Sequence, residues 1–218
     1  MTNFSTDADL LTWEPEVFRL ASIPGQLLAT GSTGATAAGA ATLTDAGAGF
    51  LAAGVAAGHV VHLSKTGVYD LYLAVASVAS ATQLVLDAPG GIFSVQTGVA
   101  WEIHTFDPQH EAVHAVFCDH FDLDVEGEGG FSEDDIEDRG ALTRASAFGV
   151  LQAVFQGQSK DGEDLYARKS LFYTELYRAA LTAVKLRFDR DGDGRPDATR
   201  TGHSVRLTVE EAGDAWPA

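Results

Sequence analysis

The spacing of apolar residues divides the chain into stretches of different character. Leu10, Trp13, Val17 and Leu20 share one face of a helix predicted over residues 7–22, capped by Asp7 or Asp9 and ended by Ile23-Pro24-Gly25. Pro15 lies inside that span and marks where its first turns can separate from the rest. From Leu27 the composition turns to Ala, Gly and Thr, and no helical period is visible through Gly58. Strand-like runs follow at Val60–Leu63, Val68–Val75, Gln83–Leu86 and Val99–His104. Gly58, Gly67, Pro89-Gly90-Gly91 and Gly98 punctuate them. These runs predict a small antiparallel β-module, a barrel or sandwich of about five or six strands. The Ala/Gly richness of residues 29–58 also reads as a partly mobile edge.

After Thr105 the period becomes helical. Val113, Val116, Phe117 and Phe121 mark residues 109–121, and a turn-rich acidic loop, Glu126-Gly127-Glu128-Gly129-Gly130, follows. Ser132-Glu133-Asp134-Asp135 reads as a helix start. Leu142, Ala145, Phe148, Leu151 and Phe155 recur helically over 141–156. Leu165, Phe172, Leu176, Ala179, Ala180, Val184 and Phe188 do the same over 163–188, with Lys160-Asp161-Gly162 as the turn between. The predicted fold is α+β: an α-helical bundle with an inserted small antiparallel β-barrel or sandwich module and an extended C-terminal tail. Its parts are the bundle's N-terminal helix (1–26), the β-module (27–104), the bundle (105–190), and an Asp-rich loop with the tail (191–218).

Charge adds an asymmetry. The net charge is −17. Residues 1–138 hold 20 acidic and 2 basic side chains, whereas residues 139–206 hold 8 acidic and 12 basic. Between Asp107 and Asp138 there are twelve acidic residues and no Lys or Arg. Such a surface repels nucleic acid. It fits adaptation to high salt, self-assembly of an acidic part against basic helices of the next subunit, or simply a solvated acidic face. No apolar run reaches the roughly 20 residues that span a bilayer. Met1–Asp7 has neither a basic region nor an apolar core, so no signal peptide is expected, which disfavours a secreted calcium-stabilised binding module. Cys118 is the sole cysteine and reads as a small packed hydrophobe.

Two motifs carry candidate chemistry. His110-Glu111-Ala112-Val113-His114 matches H-E-x-x-H, which on a helix sets two imidazoles one turn apart to share a zinc, with Glu111 as general base. His120 stands where metzincin-type proteases place a third ligand. In those proteases a glycine breaks the helix; here that position is Phe117, and the only methionine is Met1, so no Met-turn exists. On an unbroken helix His120 lies roughly 240° round from His114. Surface histidines on an acidic helix are the simpler expectation, and a zinc metallohydrolase the alternative of another class. The second motif is Asp189-Arg190-Asp191-Gly192-Asp193-Gly194-Arg195-Pro196-Asp197. Asp189, Asp191, Asp193 and Asp197 take the first, third, fifth and ninth places of an EF-hand loop, and Gly194 the sixth. The twelfth is Arg200 instead of a bidentate Glu, and Pro196 blocks a following helix. The expectation is a lone structural calcium loop at the end of the last helix; the alternative is an acidic turn capped by Arg190 or Arg195. No nucleophile elbow and no phosphate loop occur, and His203-Ser204 reads as a loop pair.

The order of these parts resembles the head–tail adaptor (connector) proteins of tailed phages and related viruses. The residues that carry the resemblance are Thr105-Phe106-Asp107-Pro108-Gln109 entering a helical bundle, and a β-insert with Phe50, Gly54-Val55, Gly58-His59-Val60-Val61, Val75, Ser77-Val78 and Thr82-Gln83-Leu84-Val85-Leu86. The rest are Phe172-Tyr173 and Tyr177 running into the Asp loop, then Arg200 and Val205-Arg206-Leu207. The resemblance implies a non-enzymatic virion protein of the neck, made in the host cytoplasm. It would form a ring with itself, typically dodecameric, between the portal protein and the next neck component, a stopper or tail terminator. DNA would pass through without sequence-specific binding, no membrane would be involved, and the tail from Thr199 to Ala218 would reach a neighbour. Another minor tail or tail-completion protein is the alternative within the virion.

Overall fold

The structure is a computed structural model that describes residues 3–20, 26–37, 39–88, 94–123 and 130–202. It is mixed α and β, with four α-helices and a closed six-stranded antiparallel barrel. Helix α1 (Asp7–Trp13) and a 3-10 segment (Pro15–Leu20) come first, divided at Pro15. The helix is capped by Thr6 in a capping box with Asp9, which frees Asp7 from the expected cap role and leaves it buried. Strands β1 (Leu27–Thr36), β2 (Thr42–Thr44), β3 (Val60–Lys65), β4 (Tyr69–Ser80), β5 (Gln83–Asp87) and β6 (Gln96–His104) close in the order β1-β2-β5-β4-β3-β6. The two ends of the insert meet where Thr105 N donates to Gln26 O, at 2.9 Å.

Alternation explains the barrel interior. Val99, Trp101 and Ile103 of β6 point inward between exposed Ala100 and Glu102, and join Leu43, Phe50, Val61, Leu63, Val75, Leu84 and Leu86. The Ala/Gly-rich segment is not a mobile edge: β1 runs ten residues and pairs with both β2 and β6. Its glycines make room for a ring. A Cβ on Gly31 would lie 2.6 Å from the Trp101 indole, and one on Gly34 2.9 Å from Trp101 and Leu43. Three register shifts along the β1–β6 pairing further blur the two-residue period.

The helices gather around α3 (Gly140–Gln158), whose buried positions include Leu142, Ala145, Phe148, Leu151 and Phe155. Helices α1, α2 (Asp107–Phe121) and α4 (Leu165–Ala183) all pack on it. One core joins Leu10, Val17 and Phe18 to Val60, Phe106, Phe148 and Phe155, and α1 covers the outer wall of the barrel at β3 and β4. A second core holds Phe4, Phe117, Phe121, Leu142, Leu186 and Phe188. Glu14 fastens α4 to the N-terminal segment by accepting from Lys169 Nζ at 2.9 Å and Tyr173 Oη at 3.0 Å.

The last helix is shorter than its apolar period suggests. It ends at Ala183, and Lys185–Phe188 forms β7, paired antiparallel with β8 (Ala198–Thr201). Val184 and Phe188 fit a helical repeat, but Leu186 and Phe188 alternating with Lys185 and Arg187 fit a strand equally well, and burial follows the strand. The Asp loop therefore tops a β-hairpin instead of ending a helix, and Gly202 N returns to Val184 O at 3.0 Å. The turns 23–25 and 89–91, most of the acidic loop 126–130, His203-Ser204 and the tail beyond Gly202 lie outside the described residues. Among the described residues, no helix is long and apolar enough to cross a membrane.

Candidate functional site

Helix α2 presents His110 and His114 on its buried face, not to solvent. The two imidazoles do not converge. His110 is fully buried: Nε2 donates to Asp7 Oδ1 at 3.3 Å, and Nδ1 accepts from Ser5 Oγ at 2.9 Å. Ser5 Oγ meets Ser146 Oγ at 2.7 Å, and Asp7 Oδ1 also accepts from Phe106 N at 2.9 Å. This Asp–His–Ser chain has the composition of a hydrolytic triad, but none of its members exceeds 2 % exposure, so no substrate reaches the serine. It is an internal tie joining α1, α2 and α3. His114 instead donates from Nε2 to Glu133 Oε1 at 2.6 Å, and Glu111 is exposed, away from both. His120 lies edge-on against Phe121 at 4.9 Å and joins neither.

Other histidines follow the same habit of meeting a carboxylate. His59 Nε2 reaches Asp107 Oδ2 at 3.2 Å while its Nδ1 accepts from Ala56 N. This bond holds Asp107 below the usual carboxylate range. Outside the barrel, a cleft of about 380 Å³ lies between Phe18-Arg19 and β3, β4 and β6. His62 Nε2 donates to Asp70 at 2.9 Å and its ring stacks on Tyr72, while Arg19 bonds Asp70 at 3.0 Å and Tyr72 Oη at 3.2 Å. These polar groups satisfy one another and fasten the 3-10 segment to the barrel wall.

In the hairpin loop, Asp189, Asp191 and Asp197 bring carboxylate oxygens within 4.8 Å of one another; Asp193 is not part of that group. Gly192 (φ 71°) and Gly194 (φ 79°) supply the positive-φ corners and donate their N–H groups to Asp189 at 2.7 and 2.8 Å. Asp193 Oδ1 instead accepts from Arg195 N, and Asp197 Oδ2 from Arg190 N, both at 2.8 Å. The backbone of Arg190 and Arg195, not their side chains, thus supplies the caps expected of them. Arg200, which stands where an EF-hand needs Glu, has another task. Its guanidinium lies over Phe188 and Phe131 and bonds the carbonyls of Phe121 and Asp122, closing the C-terminus of α2.

Two outward faces remain. On α4, Leu165, Leu171 and Phe172 are 64, 65 and 56 % exposed, interspersed with exposed Arg168, Glu175 and Arg178. On α2, exposed Glu111, Ala112, Ala115 and Asp119 flank Val116, itself 52 % exposed. One face is apolar and mainly basic, the other smaller in side-chain bulk and acidic. Comparison of the chain with protein-family models, curated proteins and solved structures gives no match.

Proposed function

We propose that this chain is a non-enzymatic structural virion protein, a head–tail adaptor that assembles into a ring between portal and tail around the DNA path. The complementarity of the α4 and α2 faces carries this reading. Leu165, Leu171 and Phe172 form an apolar patch that a stable lone subunit has little reason to expose together. Arg168 and Arg178 beside it match Glu111 and Asp119 on α2. Joining two different faces of identical subunits is a heterologous contact, which closes into a ring when the rotation allows. Apart from Glu111 and Asp119, the acidic excess of residues 107–138 suits a channel through which DNA moves without sticking. The β-barrel lies between the first helix and the helical body, where such an adaptor would carry its insert. The H-E-x-x-H sequence gains nothing from the geometry, because its two histidines serve different partners.

Sedimentation and particle images of the chain alone and mixed with a portal protein test this. A ring is expected in at least one condition. Phe172→Glu with Leu171→Glu should leave monomers, and Arg168→Glu with Arg178→Glu should weaken assembly until Glu111→Arg with Asp119→Arg restores it. Monomers in both conditions, or rings indifferent to all these changes, overturn the reading. Rings that form but ignore a portal favour a minor tail or tail-completion protein.

The hairpin loop belongs to the same proposal as a calcium staple resting on the convergence of Asp189, Asp191 and Asp197. Calcium should raise the melting temperature, and Asp191→Ala should abolish the rise. Identical melting in calcium and in chelator removes the staple and leaves a loop closed by its own N–H groups.

A further inference from the structure

We propose that His114, Cys118 and Glu133 form a binding site for a zinc-class divalent ion, unrelated to the H-E-x-x-H pairing and to the hairpin loop. His114 and Cys118 are one turn apart on the inner face of α2, and Glu133 is brought over them by the 3-10 turn Glu133–Asp135. Their ligand atoms lie within 4.8 Å of one another, with Nε2–Oε1 at 2.6 Å and Sγ–Oε1 at 3.7 Å. One nitrogen, one sulfur and one oxygen ligand suit zinc or cobalt better than calcium or magnesium, which take oxygen alone. Metal–ligand bonds of about 2.0–2.3 Å require the Nε2–Oε1 pair to open by less than about 1 Å.

The surroundings separate this cluster from the other histidine–carboxylate pairs. A metal-bound imidazole must carry its proton on the far nitrogen. In His59 that nitrogen accepts from Ala56 N, and in His110 both nitrogens are engaged, so neither ring can turn over its proton freely. His114 Nδ1 is buried without a partner, so no neighbouring donor opposes a proton there; a metal at Nε2 replaces the bond to Glu133 and leaves an unpaired Nδ1–H that the metal bonds must outweigh. Arg139 Nη2 holds Glu133 Oε2 at 2.6 Å, which keeps Oε1 as a single, directed ligand. Phe4 stacks on the His114 ring at 4.6 Å and fixes its plane. Burial first, then Glu133, pushes the Cys118 thiol up to about 11, so without metal it is a protonated packing group and not a nucleophile. Binding replaces the thiol proton with the metal and releases one proton to solvent. A thiolate and a carboxylate then neutralise the divalent ion, and a water fills the fourth position.

Cobalt(II) is the probe. Added one-to-one to the full-length protein, it should give a near-ultraviolet thiolate-to-cobalt charge-transfer band that zinc displaces. Cys118→Ser should abolish the band, and His114→Gln and Glu133→Gln should each weaken cobalt affinity at least about tenfold. Absence of the band in the folded wild-type protein overturns the proposal, and this outcome does not depend on how any variant folds. A band of unchanged affinity in His114→Gln and Glu133→Gln reports a lone-thiol adduct and overturns it equally. Neither result bears on ring assembly.

Discussion

Asp7→Ala is expected to lower the stability of the protein by about 3–5 kcal/mol, although it deletes a carboxylate from a chain already at −17. Asp7 is 1 % exposed and holds two donors that nothing else reaches, Phe106 N and His110 Nε2. An unpaired buried donor costs about 1–3 kcal/mol, and two are left at once. The loss is moderated because Asp7 Oδ2 has no partner itself, so its own burial strain disappears with it. Removing His110 on top of Asp7 should cost less than the sum of the two single changes, because they share one bond. Denaturant unfolding of the two single variants and the double variant measures this. A single Asp7→Ala change within about 0.5 kcal/mol of wild type would mean that the network contributes little beyond filling space.

This network could not have been foreseen from residue patterns. Ser5, Asp7, His110 and Ser146 lie up to 141 positions apart and show no periodicity. Asp7 sits at the start of a helix, where an acidic residue is ordinarily explained by the helix end itself, and that is how its presence reads in sequence. What diverts it is the barrel insertion, which brings Phe106 and α2 back beside the N-terminal segment. The same closure turns His110 and His114 inward. The H-E-x-x-H spacing correctly places both on one face of a helix; which face is covered depends on Phe4, Phe117 and α3, none of them in the motif. The Glu133 partner of His114 lies across a segment that carries no helical or strand period.

Elements with one strong period were legible. The inward alternation of β6 and the helical repeat of α3 survive into the fold because each has a single buried face. The signal fails where two periods coincide, as at Val184–Phe188, or where small residues replace large ones, as in β1. In the Asp loop the spacing of carboxylates was legible, but their direction was not. Asp193 faces its own backbone because Arg195 N offers a nearer donor. Arg200 gives a further case: a poor twelfth residue for a calcium loop is a good cap for α2, a role set by chain reversal in the hairpin.

The interior of the barrel offers the second large effect. Trp101→Ala should destabilise by about 3–5 kcal/mol, the usual cost of emptying a buried aromatic site. The indole is 2 % exposed, packs on Phe50 at 5.1 Å and donates from Nε1 to Asp45 Oδ2 at 2.8 Å. Asp45 also accepts from Thr33 Oγ1 and Gly47 N, each at 2.9 Å, so one carboxylate joins β1, the loop after β2, and β6. Burial pushes this carboxyl up, but the Trp101, Gly47 and Thr33 donors outweigh it and leave it below the usual range. A depressed carboxyl contributes stability above its unfolded pKa and loses it as pH falls through the folded one. Trp101→Phe keeps most of the packing but removes one donor, so acid unfolding should begin at a higher pH than in wild type. The ring also explains why β1 lacks side chains at Gly31. Gly31→Ala places a Cβ against Trp101 Cε2, Cζ2 and Nε1, and the bond to Asp45 prevents the ring from yielding. This should cost about 1–3 kcal/mol in wild type. In Trp101→Ala the obstacle is gone and the same change should cost almost nothing. Equal costs of Gly31→Ala in the two backgrounds would show that the glycine answers to the backbone of β1 and not to the ring.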